Sequence, residues 1–386
     1  MTKNKKINLT MMIVFIFMNF VLSMSSTLFN GILDKMVIDL NVSLSKVGYL
    51  TSFYAFGAGI GVPIFLIIFN KKETSLLLKM MLALNIIVTL FSIIAPTFEL
   101  LLIARFFMGL TGNCYSVLAT LMIASLSPKE KVGKNLSLLI AGAAVALMVG
   151  VPLTRELVAL YSWKFVFLGL IFIMLLSLAY FIFYLPKGTH QKEVNLKLEL
   201  QFLKERKVLL VLISSIVTFI GYGAFYTYLT PYIIHQFSYF EGYTSIFLMV
   251  IGLSSFIGNL IGGFFCDRFG FYKSLVGGSF LQICLSFIIF MTNTSFVIQL
   301  VMICLWMVNG WFIGLQINTA ITIVTQNKSS LMISLNSSGI QLGQALGTSI
   351  AAMIITKANI SFIVLLSTVT SIIVFIILNA NQKMKI

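Results

Sequence analysis

Long apolar runs recur along this chain, and only short polar segments separate them. A helix that crosses the hydrocarbon core of a bilayer needs roughly 20 apolar residues. The pattern therefore predicts an all-α polytopic membrane protein with twelve spans. The predicted spans are 9–33, 47–69, 76–95, 100–125, 135–155, 164–186, 208–234, 242–266, 273–292, 296–320, 330–355 and 360–379.

Composition agrees with a lipid environment. Hydrophobic residues make up 59% of the chain and charged residues 10%, whereas about a quarter of the residues in a soluble domain are charged. The first apolar run, 9–33, is longer than the roughly 7–15 residues of a signal-peptide core. We therefore interpret this run as the first membrane helix.

The net charge of +15 has an uneven distribution between the two sides. With the N-terminus inside, twenty of the 26 Lys and Arg residues fall on the cytoplasmic side and five on the outer side; the remaining one, Arg105, lies inside a span. This bias follows the positive-inside rule and predicts a multi-pass protein of the cell membrane with both termini cytoplasmic. The basic residues form no aromatic-interleaved face, which argues against nucleic-acid binding.

The longest polar connection divides the spans six and six. We predict an N-terminal bundle at 1–186, a cytoplasmic linker at 187–207 and a C-terminal bundle at 208–386. Leucines in the linker share one helical face, so it is either an amphipathic helix on the membrane surface or a partly disordered segment. The stretches 61–72 and 258–273 show weak similarity, which indicates two duplicated, pseudo-symmetric bundles.

Polar residues at helical spacing mark the faces of spans that avoid lipid. They concentrate on spans one, four, seven, ten and eleven, and predict a central cavity for a small-molecule substrate. The alternative is interhelical hydrogen bonding that only holds the bundle together. The candidate cavity residues are Asn19, Ser26, Asn30, Arg105, Asn113, Tyr222, Tyr226, Asn309, Gln316, Asn336 and Gln341.

Arg105 and Asp34 are the candidates for coupling transport to an ion. A charge inside a span costs about 2.5–3.5 kcal/mol or more, so Arg105 either extends to the outer headgroups or faces the interior and pairs with an oxygen. Asp34 is the acid nearest the outer mouth of the predicted cavity.

Several motifs occur in order along the chain. Residues 263–270 match the pattern GxxxDRxG, with Gly263, Asp267, Arg268 and Gly270 at its fixed positions. Span four carries an RxxxG pattern at Arg105. Further candidate conformational residues are Gly142, Gly150 and Pro152 of span five.

In these motifs the chain resembles the major facilitator superfamily, and within it the twelve-span drug and metabolite:proton antiporters, such as arabinose-efflux-like permeases and purine or sugar efflux pumps. The resemblance implies two six-helix bundles and a conformational role for the 263–270 loop. In that role Asp267 caps a neighbouring helix end in one state only; the alternative is a solvated ion pair. The first-half copy of this loop departs from the pattern, since Leu66, Asn70 and Lys71 occupy its Gly, Asp and Arg places.

The resemblance implies a secondary transporter that exports a drug, sugar or nucleoside-like metabolite by alternating access, with protons as the coupling ion. Uptake by the same fold is the alternative, and a non-transport membrane protein is a further one. The chain lacks clustered reactive residues for an enzyme, a filter-like repeat for a channel and a P-loop for ATP hydrolysis. We expect no cofactor and no metal, and a monomer whose partners are its substrate and membrane lipid.

Overall fold

The computed structural model describes residues 7–69, 72–128, 131–186, 199, 201–292, 295–326 and 329–380. Twelve helices in this part of the chain are long and apolar enough to cross a membrane. Their bounds are α1 Leu9–Thr27, α2 Leu44–Ile68, α3 Thr74–Ile94, α4 Phe98–Leu126, α5 Val132–Leu160, α6 Trp163–Tyr184, α7 Arg206–Thr227, α8 Thr244–Phe269, α9 Phe271–Met291, α10 Phe296–Val324, α11 Ser330–Lys357 and α12 Ile363–Ala380.

The first helix of each half ends before its apolar run does. After α1 the chain continues as a 3₁₀ turn, Leu28–Gly31, and then as a separate short helix, Leu33–Leu40. After α7 the second short helix is Leu229–Gln236. The single predicted span at 208–234 is therefore wrong at its end, because Pro231 would clash with the carbonyl of Thr227 four residues earlier.

Helix α5 contains a π-turn at Ala146–Gly150, just before Pro152. A proline inside a helix removes one backbone donor and crowds the preceding turn, and one wider turn accommodates this crowding. The predicted span at 135–155 correctly located the helix but not this irregularity.

The two halves repeat one packing pattern. In the first half α1 packs on α5, α2 on α4, and α3 on both α4 and α6. In the second half α7 packs on α11, α8 on α10, and α9 on both α10 and α12. Each pair has its counterpart six helices later, so the predicted pseudo-symmetric bundles are present. Of the predicted linker, residues 187–198 and 200 lie outside the described residues; Phe202–Lys204 forms a 3₁₀ turn.

Two helix pairs join the halves, α2 with α11 and α5 with α8. The short helix Leu229–Gln236 also packs on the turn Leu28–Gly31 and on the short helix Leu33–Leu40. We call all these contacts between the two halves the seam. The hydroxyls of Ser52 and Ser349 lie 3.2 Å apart across α2 and α11. Across α5 and α8, a Cβ added to Gly252 would lie 2.4 Å from the Cα of Met148, so the two backbones touch.

Candidate functional site

The guanidinium of Arg105 is fully buried among helices of the first half. Its Nε donates to the carbonyl of Leu50 at 3.1 Å, and its two terminal nitrogens donate to Ser25 at 3.0 Å and Ser26 at 3.4 Å. The side chain does not extend to the surface, and backbone carbonyls satisfy its charge.

Two aromatic rings complete this environment. The guanidinium carbon lies 4.8 Å from the ring centre of Phe29 and 4.5 Å from that of Tyr54. Both distances are within the roughly 6 Å range of cation–π attraction. A planar cation between two rings and three carbonyls is fixed in orientation, which a flexible ammonium would not be.

Gly109 explains how Arg105 reaches α2. A Cβ at Gly109 would lie 1.9 Å from the carbonyl oxygen of Tyr54, so only glycine lets the α4 and α2 backbones meet at this point. Arg105 is one turn away and therefore reaches the carbonyl of Leu50. This is the physical reason for the RxxxG spacing in α4.

The end of α1 supplies the other acceptors. The last carbonyls of a helix lack intrahelical partners and carry a partial negative charge. Arg105 binds Ser25 and Ser26 just before α1 ends, and Arg155 donates to the carbonyl of Gly31 at 2.9 Å. Two arginines on different helices thus hold the end of α1 and the 3₁₀ turn that follows it.

Asn30 connects this end of α1 to the second half. Its side-chain oxygen accepts a hydrogen bond from Thr51 of α2 at 2.8 Å. Its backbone carbonyl accepts one from Thr230, in the short helix after α7, at 3.1 Å. The turns held by the two arginines therefore form part of the contact between the halves.

The second half contributes an aromatic column. The rings of Tyr226 and Tyr222 stack with centres 5.2 Å apart, and Tyr222 stacks on Trp306 at 5.5 Å and 9°. The Tyr222 hydroxyl contacts the sulfur of Met307 at 3.6 Å. Tyr222 and Tyr226, both predicted to line the cavity, are buried and belong to one stack.

Asn309 and Gln316 of α10 do not face the first half, which corrects their predicted placement. Asn309 donates to the carbonyl of Gly278 at 2.9 Å and to the side chain of Gln282, both in α9. Gln316 donates to the carbonyl of Gly262 in α8 at 2.8 Å. Both side chains are buried, and each donates to a neighbouring helix of its own bundle. The side-chain oxygen of Gln316 has no hydrogen-bond partner among the described residues.

Asn19 and Asn113 of the first half are half-buried. Asn19 donates to Leu139 of α5 at 2.7 Å, and Asn113 to Ala58 of α2 at 3.0 Å. Both contacts are hydrogen bonds between helices, as expected if these residues hold the bundle together instead of lining a cavity. The side-chain hydroxyl of Ser26 bonds within its own helix, to Ser23 at 2.7 Å.

Two predicted residues of α11 differ in environment. Asn336 is buried; it accepts a hydrogen bond from Ser215 of α7 and donates to Asn318 of α10 at 2.9 Å. Gln341 is half-exposed and forms no hydrogen bond with the described residues. Gln341 therefore retains free donors and acceptors for a ligand.

Two ion pairs lie at the end of the bundle where α1 ends, which the predicted orientation makes the outer end. Both carboxylate oxygens of Asp34 accept from Arg155, at 2.9 and 3.0 Å. Lys35, the next residue, pairs with Glu241 of the second half at 2.9 Å. Asp34 thus lies at the seam, with its carboxylate engaged by an arginine.

Residues 263–270 are at the opposite end; they do not form the expected loop, because 263–269 are the last turns of α8 and only Gly270 lies between α8 and α9. Gly270 has φ +78°, a conformation that favours glycine, and it ends α8. Asp267 is exposed and has no hydrogen-bond or ion-pair partner among the described residues, while Arg268 lies over the ring of Phe269. A Cβ at Gly263 would meet nothing within 4 Å.

The α5 motif packs against two helices. A Cβ at Gly142 would lie 2.5 Å from the carbonyl oxygen of Ile16, so α5 and α1 are in backbone contact there. Gly150 ends the π-turn next to Met24, and Pro152 is buried in the following turn. The turn that contacts α8 across the seam lies between these two glycines.

Comparison with known proteins shows the family. Residues 15–328 match the model of the Major Facilitator Superfamily. The chain belongs to this superfamily. It is accordingly a multi-pass membrane transporter of small molecules and not an enzyme, as the sequence predicted.

Relatives in this superfamily cover nearly the whole chain. An uncharacterized MFS-type transporter YbcL of Bacillus subtilis (strain 168) is 24% identical over 92% of this chain and 93% of its own. The purine ribonucleoside efflux pump NepI of Escherichia coli O1:K1 / APEC is 23% identical over 92% and 89%. A bacterial homolog of the human lysosomal transporter Spinster, solved in an inward-facing and occupied conformation, has the same fold, with a TM-score of 0.75, 13% identity and coverage of 97% and 96%.

Sequence reasoning missed the partners that build the site. Phe29, Tyr54 and Trp306 were not candidates, although each is buried at an aromatic contact. The pairing of Lys35 with Glu241 was also missed. Adjacent opposite charges at positions 34 and 35 were the available signal, but the distance to their partners is set by the tertiary fold.

Proposed function

We propose that this chain is a secondary carrier that exports a small organic molecule by alternating access, with protons as the coupling ion. The observation that carries the proposal is the arrangement at the end of α1. Arg105 binds the last carbonyls of α1, Arg155 binds the carbonyl of Gly31 in the 3₁₀ turn that follows, and Asn30 of that turn bonds across the seam to Thr230. A buried charge network is thereby linked to a contact between the two halves.

The nature of the seam supports alternation. Its polar contacts are single neutral hydrogen bonds or an exposed ion pair, each contributing about 0.2–1.5 kcal/mol. Glycines such as Gly252 allow smooth backbone contact without interlocking side chains. Two bundles joined in this way separate at one end at modest cost.

Export, rather than uptake, is supported by the α5 motif and by the relatives. The α5 glycines and Pro152 lie around the turn that contacts α8, in the helix whose motif resembles that of exporters. A purine ribonucleoside efflux pump is among the proteins similar to this chain. This likeness supports a nucleoside-like metabolite as the first substrate to test.

Inside-out vesicles test direction and coupling together. Vesicles with this chain and vesicles without it are given labelled nucleosides, sugars or cationic dyes, with an imposed proton or sodium gradient. We expect accumulation that depends on an outwardly directed proton gradient, with the lumen more acidic than the medium, and that collapses with a protonophore. Accumulation only in right-side-out vesicles would instead support uptake, and no gradient dependence would contradict proton coupling.

We also propose a plasma-membrane location with both termini cytoplasmic, supported by the lysine and arginine distribution. A cysteine at position 204 then reacts with a membrane-impermeant thiol reagent only after the cells are opened. Labelling of that position in intact cells would contradict the orientation.

A further inference from the structure

An apolar crevice lies on the second half, lined by residues of α8, α9 and α10. Its volume is about 630 Å³, within the range of about 300–1,000 Å³ typical of small-molecule sites. Phe265 of α8, Leu281 of α9 and Phe312 of α10 line it. It is separate from Arg105 and the seam.

The crevice exists because α8 and α9 diverge. They are joined by the tight turn at Gly270; beyond it α8 packs on α10, and α9 on α10 and α12, more than α8 and α9 pack on each other. The rim residues Leu281 and Leu305 are 48% and 44% exposed. In a membrane protein an exposed apolar rim faces lipid, so the crevice opens toward the acyl chains.

Its length matches one leaflet. Along α9 the lining extends from Lys273 to Leu285, twelve residues or about 18 Å at 1.5 Å per residue. Half of the roughly 30 Å hydrocarbon core is about 15 Å. One acyl chain of a single leaflet therefore fits along it.

The charge is at one end only. Lys273 lines the crevice next to the turn, is exposed, and has no carboxylate partner within 4 Å among the described residues. Arg268 lies exposed on the same turn, with its guanidinium over Phe269. A cation at the headgroup level above an apolar crevice is complementary to a lipid with an anionic headgroup, and it disfavours a cationic drug.

We propose that this crevice is a binding site for one anionic phospholipid, with an acyl chain between α8 and α9 and the headgroup phosphate at Lys273. Such a lipid lies beside residues 263–270, at the end of the bundle opposite the two ion pairs of Asp34 and Lys35.

Native mass spectrometry of the full chain in detergent tests the site, with phosphatidylglycerol and phosphatidylcholine of identical acyl chains as probes. We expect one phosphatidylglycerol to be retained about fivefold more than phosphatidylcholine, the factor that corresponds to the about 1 kcal/mol of one interfacial lysine. Lys273→Gln should bring the ratio close to one.

A variant that fills the crevice tests the binding of the acyl chain separately from that of the headgroup. Gly277 lines the crevice and a Cβ there would meet nothing within 4 Å, so Gly277→Leu introduces a side chain that occupies the crevice. We expect this variant to lose retention of both lipids. Gly169→Leu, at an equally open and exposed position of α6, is the matched control and should behave as wild type.

Three results would overturn the proposal: equal retention of the two lipids by the wild-type chain, an unchanged ratio in Lys273→Gln, or unchanged retention in Gly277→Leu. If inorganic phosphate displaced all of the bound phosphatidylglycerol, the site would bind only the headgroup, and this too would contradict the proposal. If Gly277→Leu does not fold, Lys273→Gln decides, because its exposed side chain contributes nothing to packing.

Discussion

Replacing Arg105 by Lys keeps the charge but removes the planar group that binds three carbonyls. The Nε contact to Leu50 and at least one of the contacts to Ser25 and Ser26 are lost, because one ammonium at the end of a flexible stem does not span them. The stacking of the guanidinium between Phe29 and Tyr54 is lost as well.

The magnitude follows from these contacts. A hydrogen bond to a charged group contributes about 1.5–3 kcal/mol. Loss of even one bond should lower the population of the ordered α1 terminus at least about tenfold, since 1.4 kcal/mol is a factor of ten. Arg105→Ala leaves all three carbonyls without the cation and opens a cavity, so we expect it to be nearly inactive.

The assay is the initial rate of substrate export in inside-out vesicles at matched membrane expression. We expect the Arg105→Lys rate to fall about tenfold, while Arg206→Lys, a control at an exposed position at the start of α7, keeps the wild-type rate. Near wild-type export by Arg105→Lys would refute the reasoning, because it would show that any long cation serves at this position.

Three further variants test the ends of the molecule. Asp34→Asn should flatten the pH dependence of transport while leaving substrate binding, and an unchanged pH profile would remove Asp34 as a coupling residue. Asp267→Asn should raise the population of the state described here about tenfold, as measured by distances between spin labels on the two halves. The reason is that Asp267 has no partner in this state, so the substitution removes a contact only from the other state. Equal populations in the variant and the wild type would mean that Asp267 and Arg268 only set the orientation in the membrane. Lys35→Glu should shift the same distance distribution toward separated halves by at most about fivefold, because the Lys35–Glu241 ion pair is exposed. Adding Glu241→Lys should reverse the shift. No rescue by the double variant would show that this ion pair does not stabilise the contact between the halves.

Most of the fold was predictable from the sequence, because a helix surrounded by lipid must be a long run of apolar residues. All twelve spans were found, and only the predicted end at 234 lies far from the end of its helix, Thr227, since run length alone indicates a membrane helix. The break after α7 was overlooked although Pro231 signals it. The π-turn of α5 depends on tertiary packing as well as on Pro152, so a periodicity argument does not find it.

The site was only partly predictable. Arg105 stood out because a charge inside an apolar span is costly, and its burial follows from the same cost. Asn309 and Gln316 were assigned to the cavity from helical spacing, which identifies a protein-facing side but not which neighbour it faces. Phe29 and Tyr54 were not identified because an aromatic residue in an apolar span carries no distinguishing signal. Asn70 and Lys71 of the first-half loop lie outside the described residues.

Closing and opening of the seam is the step that alternating access requires, and a reversible cross-link tests it. Ser52→Cys and Ser349→Cys place thiols across α2 and α11, where the hydroxyls are 3.2 Å apart. The natural cysteines, Cys114, Cys266, Cys284 and Cys304, are free and are first replaced by Ser.

The matched control cross-links Ser286 to Ser367, whose hydroxyls are 3.3 Å apart between α9 and α12 of one bundle. After oxidation, with disulfide formation verified by mass spectrometry, we expect the seam cross-link to stop transport and a reductant to restore it. The control should transport throughout. Continued transport by the chain with its seam cross-linked would contradict alternating access across these helices.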